Sequence, residues 1–391
     1  VLHRAEGGEG LDTAGAEVLT AAAHDALRSG DNTGALRAAQ PALAAAPPGP
    51  TRAGLALAAG TAAYHETYAG LAATLLHEAV SEAADAGTRH RALAALSLSV
   101  AARDGSAPYA LVDAALEPLG QERPAEAASL ACLVARIAAD SAQTELARAY
   151  LGRAEDLAAA GGVDPGDDAS EPARRRLRTE LDHTRSWIGT TRPSGPGAIE
   201  HLSTVTASHP SEDLTGWDLV VRQVTLLTRA EDWQQARFAL AEVERRQRGL
   251  SSPMVAAATA VAALELHLAV GAVQDAQDIV GEAGDDLPLR MPFAGIGLCL
   301  VARTLILRGQ TDKAQDWLEL ARRFAQSTGS PAVLVRIPAE QALLATVQGD
   351  AEGAERLLGV AVQRASHFGH HEFAHLQLDL LEARHAAGTK T

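Results

Sequence analysis

The chain has 391 residues, of which 47% are hydrophobic but only 3% aromatic, so a folded core has to be built mainly from Ala, Leu and Val. The formal net charge of −15 at pH 7 opposes a phosphate backbone and argues against direct nucleic-acid binding by this segment. No apolar stretch approaches the roughly 20 residues of a membrane span, and the first residues lack the apolar centre of a secretory signal.

The first predicted helix pair meets in the stretch SGDNTGALRAAQPALAAAPP. Gly30 allows the positive φ of a tight turn, and Ala35 is placed where two helices cross closely. Ala39 and Ala42 follow at offsets of four and seven, which is the spacing of an apolar helical stripe, and Pro47 ends the helix. The stretch therefore predicts a turn followed by an amphipathic helix.

The same arrangement recurs along the chain. The marker alanines of its copies are Ala35, Ala72, Ala110, Ala147, Ala198, Ala236, Ala276, Ala314 and Ala354. They follow one another every 37 to 40 residues, except for a gap of 51 residues between Ala147 and Ala198. A regular period of this length predicts an all-α array of antiparallel helix pairs, in which each pair covers its apolar stripe with the next.

The longer gap contains GGVDPGDDASEP, which is typical of a loop, followed by a helix start at Glu171-Pro172. We interpret the gap as a long connection, at residues 189–197, inside one repeat domain that covers residues 1–391. The alternative is a subdivision near residues 161–172.

The final copies resemble a known repeat family. The eighth copy has a turn glycine at Gly309 and small or apolar residues at Ala314, Leu318 and Ala321. Two other copies end in a proline, Pro47 and Pro210. These positions are similar to the second-helix pattern of tetratricopeptide repeats. The resemblance implies a right-handed superhelical solenoid of about nine to ten antiparallel helix pairs.

Ala-rich stretches such as APPGPTRAGLALAAG look like the region between the ATPase and the DNA-binding domain of large ATP-binding LuxR-type transcriptional regulators of actinobacteria. The chain departs from that family because it has no G-x-x-x-x-G-K-[ST] stretch and no helix-turn-helix segment at its end. The resemblance then implies the sensing and coupling region alone, with no catalytic residue and no cofactor. A stand-alone peptide-binding scaffold is the alternative.

In this family type the first helix of each pair lines the concave wall. Carrying the repeat frame back from each turn places four charged residues there: Asp218, Glu265, Arg303 and Arg336. Charged side chains on such a wall can pair with a peptide terminus or with a ligand carboxylate. The expected partner is a protein or a small-molecule effector bound in the concave groove.

One stretch carries a catalytic pattern. His371, Glu372 and His375 form H-E-x-x-H, in which two imidazoles hold zinc and the glutamate acts as general base. The helix that follows has its apolar seam at Leu376 and Leu380, and no third ligand stands at the expected spacing. We interpret the His370–His375 cluster as a solvated helix face, with a fortuitous metal site or a zinc hydrolase as alternatives.

The two cysteines, Cys132 and Cys299, each lie in an apolar run, which predicts buried and reduced thiols. Reduced thiols favour a cytoplasmic protein over a disulfide-stabilised one.

Overall fold

The protein is described by a computed structural model that covers residues 13–141, 143–161, 172–189, 214–247, 252–283, 294–328, 330–368 and 373–386. Within these ranges the chain forms eighteen α-helices and no β-strand, which confirms the predicted all-α class. The helices are α1 (Thr13–Arg28), α2 (Asn32–Ala45), α3 (Pro50–His65), α4 (Ala69–Glu82), α5 (Ala86–Asp104), α6 (Tyr109–Glu122), α7 (Pro124–Asp140), α8 (Thr144–Ala160), α9 (Pro172–Trp187), α10 (Leu214–Arg229), α11 (Trp233–Gln247), α12 (Pro253–Ala269), α13 (Val273–Ala283), α14 (Ala294–Leu307), α15 (Thr311–Thr328), α16 (Pro331–Val347), α17 (Ala351–Phe368) and α18 (Phe373–Ala386).

Helices that follow each other after a short turn pack as pairs. The contacts join α1 to α2, α3 to α4, α10 to α11, α14 to α15, and α16 to α17. The first helix of one pair also packs on the first helix of the next, as α3 does on α5 and α14 does on α16. This is the stacking that a repeat of helix pairs requires, because a single pair leaves an apolar stripe uncovered.

The marker alanines occupy the crossings within the pairs. Seven of the nine lie near the start of a second helix and are 0 to 2% exposed: Ala35, Ala72, Ala147, Ala236, Ala276, Ala314 and Ala354. A side chain that ends at Cβ lets two backbones approach closely, whereas a larger one would separate them. The prediction is confirmed at these positions, and Ala198 lies outside the described residues.

The third copy corrects one predicted position. Ala110 is exposed, and the buried crossing residue of α6 is Val112, with Leu116 and Leu119 at the same offsets of four and seven. The turn after Gly105 is two residues longer than the others, so α6 begins later, with Pro108 as its N-cap. The N–H that donates to the carbonyl of this capping residue is that of Val112 and not that of Ala110. The longer turn therefore moves the buried crossing position from the predicted Ala110 to Val112, two residues further along the chain.

The turns before six of the crossing alanines share one backbone geometry. In the eighth copy Gly309 has φ +73°, its N–H bonds to the Ile306 carbonyl at 2.9 Å, and the next N–H, of Gln310, bonds to the Leu305 carbonyl at 2.9 Å. This is the Schellman ending of a helix, and it recurs at Gly349. Thr67 and Glu231 adopt the same conformation, at φ +66° and +60°, although a Cβ disfavours it.

Two compact units are formed by the chain. Unit 1 comprises Val1–Ala138 with Thr144–Thr259, and unit 2 comprises Ala139–Gln143 with Ala260–Thr391. The core of unit 1 is mostly Ala, Leu and Val, with Tyr64 and Tyr150 among its few large rings, as the composition requires. Residues 162–171 and 190–197 lie outside the described residues, so the single repeat domain, the long connection and the subdivision all stay predictions.

Replacing Ala314 by Leu tests the close crossing. We expect the free energy of unfolding to fall by about 1–3 kcal/mol, because three added carbons have no space beside the partner helix. Chemical denaturation followed by circular dichroism measures it. The same change at the exposed Ala110 serves as the control and is expected to stay within about 0.5 kcal/mol. An equal loss at both positions would show that the marker is not sterically confined.

Candidate functional site

Several first helices of the pairs are enclosed by protein over more than one turn. In α7 every residue from 130 to 138 is buried, and in α12 every residue from 261 to 266 is buried. Both runs exceed one helical turn, so these helices are covered on all sides at those points. Second helices differ, since α15 buries a single stripe through Ala314, Leu318 and Ala321. Any charged group on an enclosed first helix therefore needs a counter-charge inside the protein, on its own helix or on a neighbouring one.

The structure places all four predicted wall residues on first helices: Asp218 on α10, Glu265 on α12, Arg303 on α14 and Arg336 on α16. It does not bring them to one open surface. The side chains of Asp218, Glu265 and Arg336 are only 6 to 10% exposed, while that of Arg303 is 47% exposed. Only one pair of the four is joined directly, Glu265 with Arg336. Their part in binding a partner stays a prediction.

In unit 2, charges on three first helices pair with one another. Arg336 Nη2 donates to Glu265 Oε1 at 3.0 Å, which connects α16 to α12 across the intervening pair. Arg303 Nη1 donates to Glu340 Oε1 at 3.4 Å, which connects α14 to α16. The first pair is almost fully buried, whereas the Arg303 end of the second reaches solvent. Arg303 is therefore the accessible charge of this set.

In unit 1, one carboxylate serves two guanidinium groups. Arg222 Nε donates to Asp218 Oδ1 at 2.7 Å along α10, and Arg136 Nε donates to Asp218 Oδ2 at 3.3 Å from α7. Arg136 Nη1 donates to Thr184 Oγ1 of α9 at 2.9 Å. Burial opposes ionisation of Asp218, but Arg222 and Arg136 outweigh it and hold the pKa of this carboxyl below its usual range. Three first helices are thus connected by buried polar contacts.

His183 lies beside the same charges. Its ring is parallel to that of Trp187 at 9°, with ring centroids 6.4 Å apart, and the guanidinium carbons of Arg222 and Arg229 lie 4.5 and 5.0 Å from the Trp187 centroid. Burial, followed by the positive charges of Arg136 and Arg222, lowers the pKa of His183 well below its usual value. His183 is therefore neutral while unit 1 is folded.

Three members of this group were missed by sequence reasoning: Arg136, His183 and Arg222. Arg136 interrupts the apolar run LACLVARIAA and Arg222 interrupts DLVVRQVTLL, and a single charge inside such a run is a sign of a buried pair. His183 carries no comparable signal, because the surrounding sequence TELDHTRSW is polar.

Most of the predicted H-E-x-x-H pattern lies outside the described residues. His371 and Glu372 lie outside the described residues, and the side chain of His375 does too. The apolar seam predicted for the same helix is confirmed at Leu376 and Leu380, which are 4 and 8% exposed. Across the residues that are described, no group of three or more His, Cys, Asp or Glu side chains is arranged to hold a metal ion.

The cysteines are placed as predicted. Cys132 and Cys299 are both buried and are not joined in a disulfide. Burial raises the pKa of the Cys132 thiol to about 12, with a smaller contribution from Glu180, so this thiol stays protonated and unreactive. Within the described ranges, no helix is both long and apolar enough to cross a membrane.

Comparison with known proteins gives similarity in structure alone. No family model matches the chain, and no curated protein sequence matches it. Similar solved structures include yeast Tom70, at 13% identity and a TM-score of 0.37 over 95% of this chain and 83% of that chain. Another is the APC/C hetero-tetramer Cut9–Hcn1, at 13% identity and a TM-score of 0.29 over 97% and 85%. At these scores no function is transferred from either.

The stability of the protein is expected to depend on pH through His183. The unfolded chain binds a proton at the ordinary histidine pKa and the folded chain does not, so the free energy of unfolding falls as pH drops below about 6.5. His183 contributes up to about 1.4 kcal/mol per pH unit there. Urea denaturation between pH 5 and 8 measures this slope, and His183→Gln should flatten it. Identical slopes for both proteins would contradict a neutral buried His183.

Proposed function

We propose that this chain is a non-enzymatic binding scaffold, the sensing and coupling region of a LuxR-type transcriptional regulator. It acts in the cytoplasm and binds a protein or a small-molecule effector through the first helices of its repeats. The observation that carries the proposal is the set of buried ion pairs that connect first helices of different repeats.

These pairs suit a sensor because their charges can be exchanged. Removing one partner of a buried pair leaves an uncompensated charge, which costs about 3–5 kcal/mol. A ligand carboxylate that pairs with Arg336 displaces Glu265, and this exchange offsets the cost only if Glu265 gains solvent as α12 separates from α16. The ligand then shifts the population toward a rearranged packing of the repeats.

Arg303 is the natural first contact for such a ligand in unit 2. It is the most exposed member of the predicted set, and it is held to Glu340 by a single long hydrogen bond of 3.4 Å. Glu340 is only 3% exposed, so an incoming anion meets the arginine of this pair before it meets the carboxylate. Arg336 and Glu265 would respond after this contact.

A stand-alone peptide-binding scaffold is the second candidate, and the same helix-pair architecture supports it. A zinc hydrolase would rest on His371, Glu372 and His375 alone. Metal content after purification separates this candidate from the other two: stoichiometric zinc, with a hydrolytic activity lost in Glu372→Gln, would replace the scaffold proposal.

The reading frame that encodes this chain tests the regulator context. We expect its sequence to continue into a nucleotide-binding module with G-x-x-x-x-G-K-[ST] on the N-terminal side and a helix-turn-helix on the C-terminal side. Sequencing the complete gene measures this directly. A frame that contains neither module would refute the regulator context and leave the stand-alone scaffold.

A further inference from the structure

Pro338 interrupts the backbone hydrogen bonding of α16 near the middle of the helix. It lies inside the helix and is buried. Proline has no main-chain N–H, and its ring crowds the carbonyl four residues earlier, which in α16 is that of Leu334. The Leu334 carbonyl therefore loses the donor that it would have in an uninterrupted helix.

A side chain of the partner helix supplies a donor in its place. Arg364 Nη1 of α17 donates to the Leu334 carbonyl oxygen at 2.7 Å. Pro118, inside α6, shows a different arrangement, because both it and Ala114, four residues earlier, are exposed and water can reach that carbonyl. The buried proline of α16 thus depends on a charged donor from another helix, and charge-assisted hydrogen bonds are stronger than neutral ones.

The interruption separates two ion pairs that join α16 to different helices. Arg336, two residues before Pro338, pairs with Glu265 of α12. Glu340, two residues after Pro338, pairs with Arg303 of α14. Prolines inside helices are the usual place at which a helix bends. A bend here moves the contact with α12 and leaves the contact with α14 in place.

We propose that α16 is a hinged helix, in which residues 331–337 turn about Pro338 relative to residues 338–347, and that the Arg364 hydrogen bond is the latch that keeps the hinge closed. When the latch opens, the first segment carries Arg336 away from Glu265. The use of this hinge rests on the proposed function, because it is the element that moves when an effector displaces Glu265. Its existence is tested without an effector, because a substitution can remove the latch.

Amide hydrogen exchange of the whole chain at pH 7, followed by mass spectrometry, measures the latch. We expect Arg364→Met to accelerate exchange of residues 334–337 about tenfold or more relative to residues 341–345, because a hydrogen bond from a charged group is lost. Arg356→Met is the matched control, since it removes an exposed arginine from the same helix as Arg364. It should leave the exchange of both segments unchanged.

Pro338→Ala distinguishes a hinge from a general loss of packing. The new residue supplies an N–H for the Leu334 carbonyl, so exchange of residues 334–337 should slow relative to residues 341–345. Adding Arg364→Met to this variant should then accelerate exchange by less than about threefold. If Arg364→Met does not fold, as judged by circular dichroism, the slowing in Pro338→Ala is the test.

Three results would overturn the hinge. They are an equal acceleration by Arg364→Met with and without Pro338, an equal rise of exchange in both segments of α16, and no relative slowing in Pro338→Ala. Each of them leaves the reading-frame test of the proposed function unaffected, so failure of the hinge and failure of the regulator context are distinguishable.

Discussion

The enclosure of the first helices is the constraint on which the rest of the structure depends. A helix covered on all sides cannot keep a charged side chain in water, so each charge on it needs a counter-charge inside the protein, on the same helix or on another one. Arg136 with Asp218 in unit 1 and Arg336 with Glu265 in unit 2 meet this requirement in the same way, by joining first helices of different repeats. Each of these ion pairs therefore joins two particular repeats that pack against each other. The charged side chains of these pairs lie inside the units and not on their surface.

Much of the fold could be predicted from the sequence because its cause is local. A glycine in the left-handed conformation lies five positions before the crossing alanine, at Gly309 before Ala314 and at Gly349 before Ala354. The turn and the helix crossing can therefore each be recognised from one small residue. The prediction was wrong at Ala110, where a longer turn moved the crossing to Val112. Turn length depends on which residue caps the next helix. Here that residue is Pro108, which makes no side-chain capping hydrogen bond, so the sequence did not show where the helix begins.

The partners of the wall charges could not be predicted. The repeat frame correctly assigned Asp218, Glu265, Arg303 and Arg336 to first helices, because that assignment needs only the period. It gave no information on which repeats approach each other, since that depends on the rotation between successive pairs. A set expected to face a groove is therefore largely paired inside the protein, and His183, in a polar stretch of sequence, had no feature that distinguished it from a surface residue.

A double-mutant cycle on Glu265 and Arg336 tests most directly whether buried charges hold first helices of different repeats together. Unfolding free energies are needed for Glu265→Gln, Arg336→Met and the variant carrying both changes. We predict that the double variant is more stable than the sum of the two single losses implies, with a coupling free energy of about 1–3 kcal/mol, because each single change removes the counter-charge that the other residue has in this pair. Losses that add within about 0.5 kcal/mol would show that the two residues do not interact and would contradict the account.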